Sequence, residues 1–398
     1  MLRYSRMKEK GKGENGMVIF ILFMIVLIAG SAFYIAHSVK RGLSAAFPKI
    51  KFWVVFAVFA TLASTMVIGF MSFRMSLPSW LTVFLSYAFA YGMGFYLYLI
   101  FFAVISDGIT LVLYWCKRPI IRNRLYKGLS LLAVGLFTFG TVICGIINAN
   151  DIDHVSYEVK IENKADISDI NLVMISDVHL GAVGSEARLA DIVAEINGLK
   201  PDVVCIAGDF FDTVYDAIQE PEKAIETMKQ IFSTYGVYAC LGNHDAGETT
   251  LQMQEFFRRA NVTLLNDEYV IIDNRLVLVG RLDASPIGGY GDVERKELSE
   301  FFTASDETLP VIVLDHNPKH IDTYGTEVDL VLSGHTHNGQ IFPATLVTEL
   351  TYTVDHGYYR ADKDSPHVIV TSGVGYWGMP LRVGTDSEIV SISFVPSS

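Results

Sequence analysis

The sequence predicts a chain of two parts: a multi-pass α-helical membrane domain over residues 1–150, then an α/β sandwich over residues 151–398. Three observations carry that prediction. Hydrophobic residues make up 51% of the chain and mean hydropathy is +0.35, too apolar for an ordinary soluble protein. Charge is unevenly spread: residues 1–150 hold 15 Lys/Arg against 3 Asp/Glu, whereas residues 151–398 hold 16 against 40. Long charge-free apolar runs fill the first part, and short β-rich runs alternate with helical patterns in the second.

The apolar runs are Met17–Ala36, Trp53–Phe73, Trp80–Ser106 and Leu129–Ala149. Each approaches or exceeds the ~20 residues that a helix needs to cross ~30 Å of hydrocarbon. Their length and number exclude a cleaved signal peptide, whose apolar region is ~7–15 residues. The third run continues past Asp107 to Trp115, which leaves room for a second short crossing and so for four or five spans. Lys40–Lys51 carries four basic residues, Lys117–Lys127 five, and Arg74–Ser79 one. The positive-inside rule places the two strongly basic loops in the cytoplasm. With four spans the N-terminus and the acidic half then lie outside. Five basic residues in Met1–Gly16 oppose that placement, and translation beginning at Met17 would remove the conflict. The expectation is a multi-pass protein of the cell membrane with an extracytoplasmic second domain.

Asn150–Asp153 opens the acidic half. Asn171–Ser176, Asp202–Ala207, Gly236–Leu241, Val277–Gly280, Pro310–Leu314 and Asp329–Ser333 read as buried strands, with His367–Thr371 and Glu388–Phe394 adding later ones. Ser185–Asn197, Pro221–Phe232 and Thr249–Arg259 read as helices. Strand–helix alternation followed by more strands indicates a central α/β sandwich. The excess of acids repels nucleic-acid backbones, so no nucleic-acid partner is expected. Four cysteines without a CxxC signal neither a thiolate zinc site nor a disulfide framework.

Five predicted strands end in Asp, His or Asn. In order these pieces are Asp177-Val-His179, Gly208-Asp209-Phe-Phe-Asp212, Gly242-Asn243-His244-Asp245, Asp315-His316-Asn317 and Gly334-His335-Thr-His337. Loops at strand ends on one edge of an α/β sheet are where sites are built. The donors are carboxylate, imidazole and amide oxygen, a set that suits Mn²⁺, Fe or Zn²⁺. Any one piece alone is an ordinary turn; five in this order are not a coincidence. Asp245 and Asp315 adjoin these motifs and are read as supporting hydrogen-bond partners. His37, His154, His320, His356 and His367 match no motif and are read as ordinary loop or core residues.

The order D-x-H, G-D-x-x-D, G-N-H-D, a lone His and G-H-x-H resembles the calcineurin-like metallophosphoesterase superfamily, over residues ~155–395. ISDVHLG, LDHNP, SGHTHNGQ and the late GVGYWGMPLR (Gly373–Arg382) are similar to its membrane-associated YkuE/YaeI-type branch. That resemblance implies a four-layer αββα sandwich holding two divalent metal ions. It implies that Asp177, His179 and His337 hold the first metal, and that Asn243, His316 and His335 hold the second. Asp209 would bridge them, with His244 as general acid oriented by Asp212. Asn338 stands where the branch often has Gly, and Asn tolerates the left-handed backbone such a turn requires.

Two metals ~3.5–4 Å apart clamp a phosphoryl group and generate hydroxide at neutral pH, and a positioned His protonates the leaving oxygen. Thr213 follows Asp212 where phosphoprotein phosphatases of the superfamily carry Arg. That departure turns the expectation from a monoester toward a diester or pyrophosphate, unless Arg281 or Arg382 supplies the charge. A membrane tether makes a small or lipid-linked phosphoester the expected substrate. The alternatives are a nucleotide or cyclic-nucleotide phosphodiesterase and a non-catalytic membrane metal sensor.

Overall fold

A computed structural model describes residues 26–72, 77–161, 164–183, 185–291, 293–297, 300 and 308–395. Residues 17–25 of the first apolar run, and Met1–Gly16 before them, lie outside the described residues. The chain forms two compact units, one ending at Ile143 and one beginning at Cys144.

The first unit is helical. Helix α1 is described over residues 26–43; α2 spans Phe52–Met71, α3 Ser79–Trp115 and α4 Arg124–Asn150. Three of these, α2, α3 and α4, are long and apolar enough to cross a membrane. α4 begins before its charge-free run because the helix continues through Arg124 and Lys127, which a hydropathy window excludes. α3 runs unbroken through Asp107, so the chain does not reverse there to make a second short crossing. Asp107 is instead paired with Arg41 and accepts a hydrogen bond from the Tyr34 hydroxyl (3.1 Å). Such pairing is how an acid is retained between apolar helices. Ile35, Ala63, Met66, Tyr96, Leu99 and Val134 form the core of this unit. Outward faces such as those of Trp53, Leu136 and Phe137 stay apolar and exposed, as lipid-facing surfaces require.

The second unit has twelve strands among the described residues: β1 (Ile152–Lys160), β2 (Asn171–Ile175), β3 (Val203–Ala207), β4 (Val237–Cys240), β5 (Val262–Leu264), β6 (Glu268–Ile272), β7 (Leu276–Gly280), β8 (Val311–Leu314), β9 (Leu330–Ser333), β10 (Gly357–Tyr359), β11 (His367–Val370) and β12 (Ser387–Val395). They form two six-stranded sheets, ordered β1-β12-β2-β3-β4-β5 and β10-β11-β9-β8-β7-β6. β2 to β5 are parallel, as are β7, β8, β9 and β11. Strands buried on both faces read as continuous apolar runs, which is why VVCIA and VIVL were recognisable. Edge strand β1 was not, because its face alternates with solvent and its partner β12 lies over 200 residues away.

One face of each sheet meets the other. Leu172, Met174, Val203 and Cys205 pack there against Leu278, Ile312, Leu314 and Leu332. The outer face of the first sheet, with Val173, Ile175, Val204 and Ile206, is covered by α5 (Ser185–Gly198), α6 (Pro221–Met228) and α7 (Thr250–Arg259). The outer face of the second sheet is covered by Ile321, Tyr324, Val328 and Val354, from a 3₁₀ turn and loops. The fold is therefore the four-layer sandwich, with a thin fourth layer among the described residues. α6 stops at Met228 rather than Phe232, with Lys229 as its C-cap.

Leu278 is fully buried between the sheets. Leu278→Ala is expected to cost about 2–5 kcal/mol, read as a lowered melting temperature of the detergent-solubilised chain. Leu251→Ala, on the exposed face of α7, should change stability by less than about 0.5 kcal/mol.

Candidate metal centre

All five motifs sit just past the C-terminal ends of β2, β3, β4, β8 and β9. The first three strands are neighbours in one sheet and the last two are neighbours in the other. Backbone bonds tie the loops together: Asp177 N–H donates to Gly208 O (3.0 Å), His179 N–H to Asp209 O (3.1 Å), and Gly334 N–H to His316 O (2.9 Å). The His316 ring crosses between the sheets, its Nδ1 standing 2.8 Å from Ala207 O.

The loops turn by adopting left-handed backbone at the very residues that bear the donors. Asp177 (φ 56), His179 (φ 49), Asp209 (φ 50), His335 (φ 72) and His337 (φ 51) all lie there, as does Asn338 (φ 48). Asp, Asn and His tolerate this region better than other non-glycine residues. Close approach sets the glycines: a Cβ on Gly334 would collide with Ser176 Oγ and Asp177, and one on Gly242 with Asp209.

Two groups of donors result, Asp177–His179–His337 and Asp209–His316–His335, each with its ligand atoms within 4.8 Å of one another. In the first, His337 Nε2 is 3.3 Å from Asp177 Oδ1 and 3.1 Å from His179 Nε2. In the second, His316 Nε2 is 3.0 Å from Asp209 Oδ2. The same Oδ2 is 4.0 Å from His179 Nε2, so one carboxylate oxygen stands between the groups. Asn243 Oδ1 joins the second group, 2.7 Å from His335 Nδ1. His335 and His337 point to different groups, as the one-residue spacing allows.

The donor chemistry fits divalent ions. His316 Nε2 is buried and faces Asp209 Oδ2 at 3.0 Å without the alignment of a hydrogen bond. His179 Nε2 and His337 Nε2 stand 3.1 Å apart, an approach open to neutral rings through one N–H···N hydrogen bond or through a cation held between them. Burial pushes the imidazole of His179 down to about 3, does the same to His335, and holds His337 well below its ordinary value. These rings are neutral, the form that binds metal. Burial likewise lifts the Asp177 carboxyl to about 6. Burial would lower His316, but the adjacent Asp209 carboxylate outweighs it and holds the ring well above its ordinary value. Asp209 is correspondingly held low by His316 despite its burial.

His244 stands at the rim. Its ring lies 5.1 Å from that of His179 and its N–H donates to Asp209 Oδ1 (2.7 Å). Nδ1 is 2.6 Å from Thr213 Oγ1, so the residue engaging this ring nitrogen is Thr213 and not the Asp212 that the resemblance suggested. Asp212 still places a carboxylate oxygen within 4.8 Å of His179 and His244 donors. Burial raises its pKa, and the His244 charge opposes that rise.

Several supporting residues are visible only in the fold. Asp245 is buried and accepts N–H bonds from Gly242 (2.8 Å), Phe211 (2.8 Å) and Phe210 (3.3 Å), fixing two motif loops at once. Arg382 is fully buried and donates to the carbonyls of Ser372 (2.7 Å), Gly373 (2.9 Å), Gly375 (2.7 Å) and His337 (3.4 Å). Arg281 is paired with Asp267 (3.1 Å). Both arginines are thus structural. Asp315 is held by Arg295 (2.7 Å) and the Tyr324 hydroxyl (2.6 Å). His356 pairs with Glu388, and His154 with Glu195, each at 3.0 Å. The arginine at the end of PLR was the one sequence signal for Arg382's clamp; nothing in the sequence marked its partners.

Comparison with known proteins agrees with this geometry. The profile of the calcineurin-like phosphoesterases matches residues 170–339. An uncharacterized metallophosphoesterase of Campylobacter jejuni is 30% identical over 275 residues, covering 68% of this chain and 70% of that protein. One from Helicobacter pylori is 29% identical over 288 residues, covering 71% and 73%. A transmembrane protein with metallophosphoesterase domain from Danio rerio is 30% identical over 273 residues, covering 65% and 61%. A strand-end carboxylate shared between two imidazole groups, in a chain that also carries three membrane-capable helices among its described residues, is therefore the work of a known lineage: the chain belongs to the calcineurin-like metallophosphoesterase family, and it is a membrane-associated, metal-dependent phosphoesterase.

Proposed function

We propose that the protein is a multi-pass membrane phosphodiesterase or pyrophosphatase whose catalytic domain, residues 151–398, lies outside the cytoplasm. In this reading Asp177, His179 and His337 would hold one divalent ion and Asn243, His316 and His335 the other. Asp209 would serve both, and Mn²⁺, Zn²⁺ or Fe suits the thiolate-free donor set. The observation that carries the reading is the position of Asp209 Oδ2, 3.0 Å from His316 Nε2 and 4.0 Å from His179 Nε2. Two ions at these positions supply positive charge to phosphoryl oxygens and acidify water, so that hydrolysis needs no covalent enzyme nucleophile.

The chain's own groups do the rest. With Nδ1 engaged by Thr213, Nε2 of His244 is the nitrogen left to deliver a proton to the leaving oxygen. Asp212 lies near that ring and stabilises it when charged. Asp209 Oδ1 holds the backbone of His244, which couples the acid's placement to the metal-binding carboxylate. Diester over monoester follows from Thr213: a hydroxyl stands where a guanidinium would neutralise the second charge of a monoester. Arg281 and Arg382 are committed elsewhere. The bilayer tether makes a lipid-linked phosphoester the favoured substrate over a free nucleotide.

With Mn²⁺ or Zn²⁺, the full chain in detergent is expected to cleave bis-p-nitrophenyl phosphate faster than p-nitrophenyl phosphate. A preference for the monoester would contradict the diester assignment, and no cleavage of either by metal-loaded protein would favour a metal sensor. Asp209→Asn should abolish turnover and lower bound metal by elemental analysis. His244→Ala should lower kcat about 10²–10⁴-fold with metal content unchanged. Thr213→Val removes the hydrogen bond at Nδ1, worth about 0.5–1.5 kcal/mol. A kcat loss of roughly three- to tenfold with an altered pH profile is expected, and restoration by Thr213→Ser would distinguish positioning from simple damage.

A further inference from the structure

Helix α8 (Ala344–Thr351) is built inside out. None of its residues is buried, and Leu346, Val347 and Leu350 are 49%, 63% and 88% exposed. Positions i, i+1 and i+4 share one helical face. Two of its threonines turn inward while Glu349 and Thr351 stay exposed: Thr348 Oγ1 donates to Asp355 Oδ2 (2.8 Å), and the backbone of Thr345 lies against Gly339. A surface helix folding in water shows the opposite polarity.

Two further observations say what that face meets. Within the second unit, the segment that leads into α8 is tied to the last turns of α4 through residues 382–383. Arg382 N–H donates to Gly145 O (3.0 Å), Phe342 N–H donates to Val383 O (2.8 Å), and Pro343 then opens α8. Ile147, in the same last turns of α4, is also exposed. The entry to α8 is therefore tied by two backbone hydrogen bonds, through residues 382–383, to the end of a helix able to span a bilayer. The segment just before α8 is also linked to the chemistry. Gln340 Nε2 donates to Trp377 O (3.1 Å), and the half-exposed Trp377 holds its ring 5.8 Å from that of His244.

We propose that α8 seats in the interfacial layer of the lipid bilayer through Leu346, Val347 and Leu350, holding the mouth of the active site at the membrane surface. The substrates it would favour are phosphoesters of amphiphiles lying in that bilayer. The occupant is a bilayer because the entry to α8 is tied to the end of a membrane-capable helix. The contact is apolar insertion, since residues 151–398 carry 40 acids against 16 bases and would not be drawn to anionic headgroups. The inference rests on reading α4 as a membrane span and the site as a hydrolase.

The test uses the full chain with Cys116 and Cys144 replaced by Ser, in phosphatidylcholine nanodiscs. A nitroxide is placed at Leu346→Cys, at Leu350→Cys, or at Lys363→Cys as a reference in water. Collision with oxygen should exceed collision with a nickel chelate at 346 and 350, and the order should reverse at 363. Nickel dominance at 346 and 350 overturns the proposal. Dipolar broadening between copies overturns it in favour of a second copy, and protection from both reagents without broadening overturns it in favour of another segment of the chain. In a second arm, Leu346→Asn/Leu350→Asn should leave cleavage of bis-p-nitrophenyl phosphate within twofold. Cleavage of a diacylglycerol p-nitrophenyl phosphodiester in the same nanodiscs should fall at least tenfold; an unchanged rate overturns the substrate assignment. Failure of every form to cleave the soluble diester would defeat the hydrolase reading, while the collision data would still decide the docking.

Discussion

The buried carboxylate of Asp209 is the constraint around which the second unit is organised. It is 2% exposed, and an ionised carboxylate in such a place is untenable without opposite charge or strong donors. Here it has the His316 ring on one side, the His179 ring on the other, and the His244 N–H on its second oxygen. The rings come from different strands, and His316 belongs to the opposite sheet. Satisfying one carboxylate therefore requires both sheets to be packed in register, so the inter-sheet core and the site depend on each other.

Holding these donors together forces the backbone into unfavourable regions. Left-handed backbone at Asp177, His179, Asp209, His335 and His337 costs of order 1–3 kcal/mol each where the surroundings do not help. The surroundings do help. Asp245 gathers three N–H groups from the β3 and β4 loops, and Arg382 gathers four carbonyls from the β9 and β11 loops. One buried carboxyl and one buried guanidinium thus brace the loops of the centre. Burial brings the guanidinium down to about 10, which still leaves it charged at neutral pH. A buried Arg lacking those carbonyls would be strongly destabilising; with them it acts as a bracket.

The two units solve the same solvation problem in opposite ways. The second unit hides Leu, Ile and Val between its layers and shows acids to water. The first turns apolar side chains outward and retains Asp107 by pairing it with Arg41 and Tyr34. Helix α8 follows the rule of the first unit while belonging to the second. That mismatch stands a few residues past Gln340, whose amide holds the carbonyl of Trp377 next to the His244 ring.

Much of the centre was legible in the sequence because a strand buried on both faces and a donor-bearing turn are local patterns. ISDVH, AGDFFD, LGNHD, LDHN and SGHTH each announce a strand, a tight turn and its donors within a few residues. The membrane-capable helices were legible for the same reason, since hydrocarbon thickness sets a run length. What the sequence could not decide depends on partners distant along the chain. The β1–β12 pairing, the unbroken course of α3 through Asp107, the clamp at Arg382 and the engagement of His244 by Thr213 instead of Asp212 are all of this kind. So is the inverted polarity of α8: ATLVTELT has apolar residues at helical spacing, and only its tertiary neighbours determine which side faces out. Local periodicity names the elements and their donors, whereas packing chooses which side chains meet.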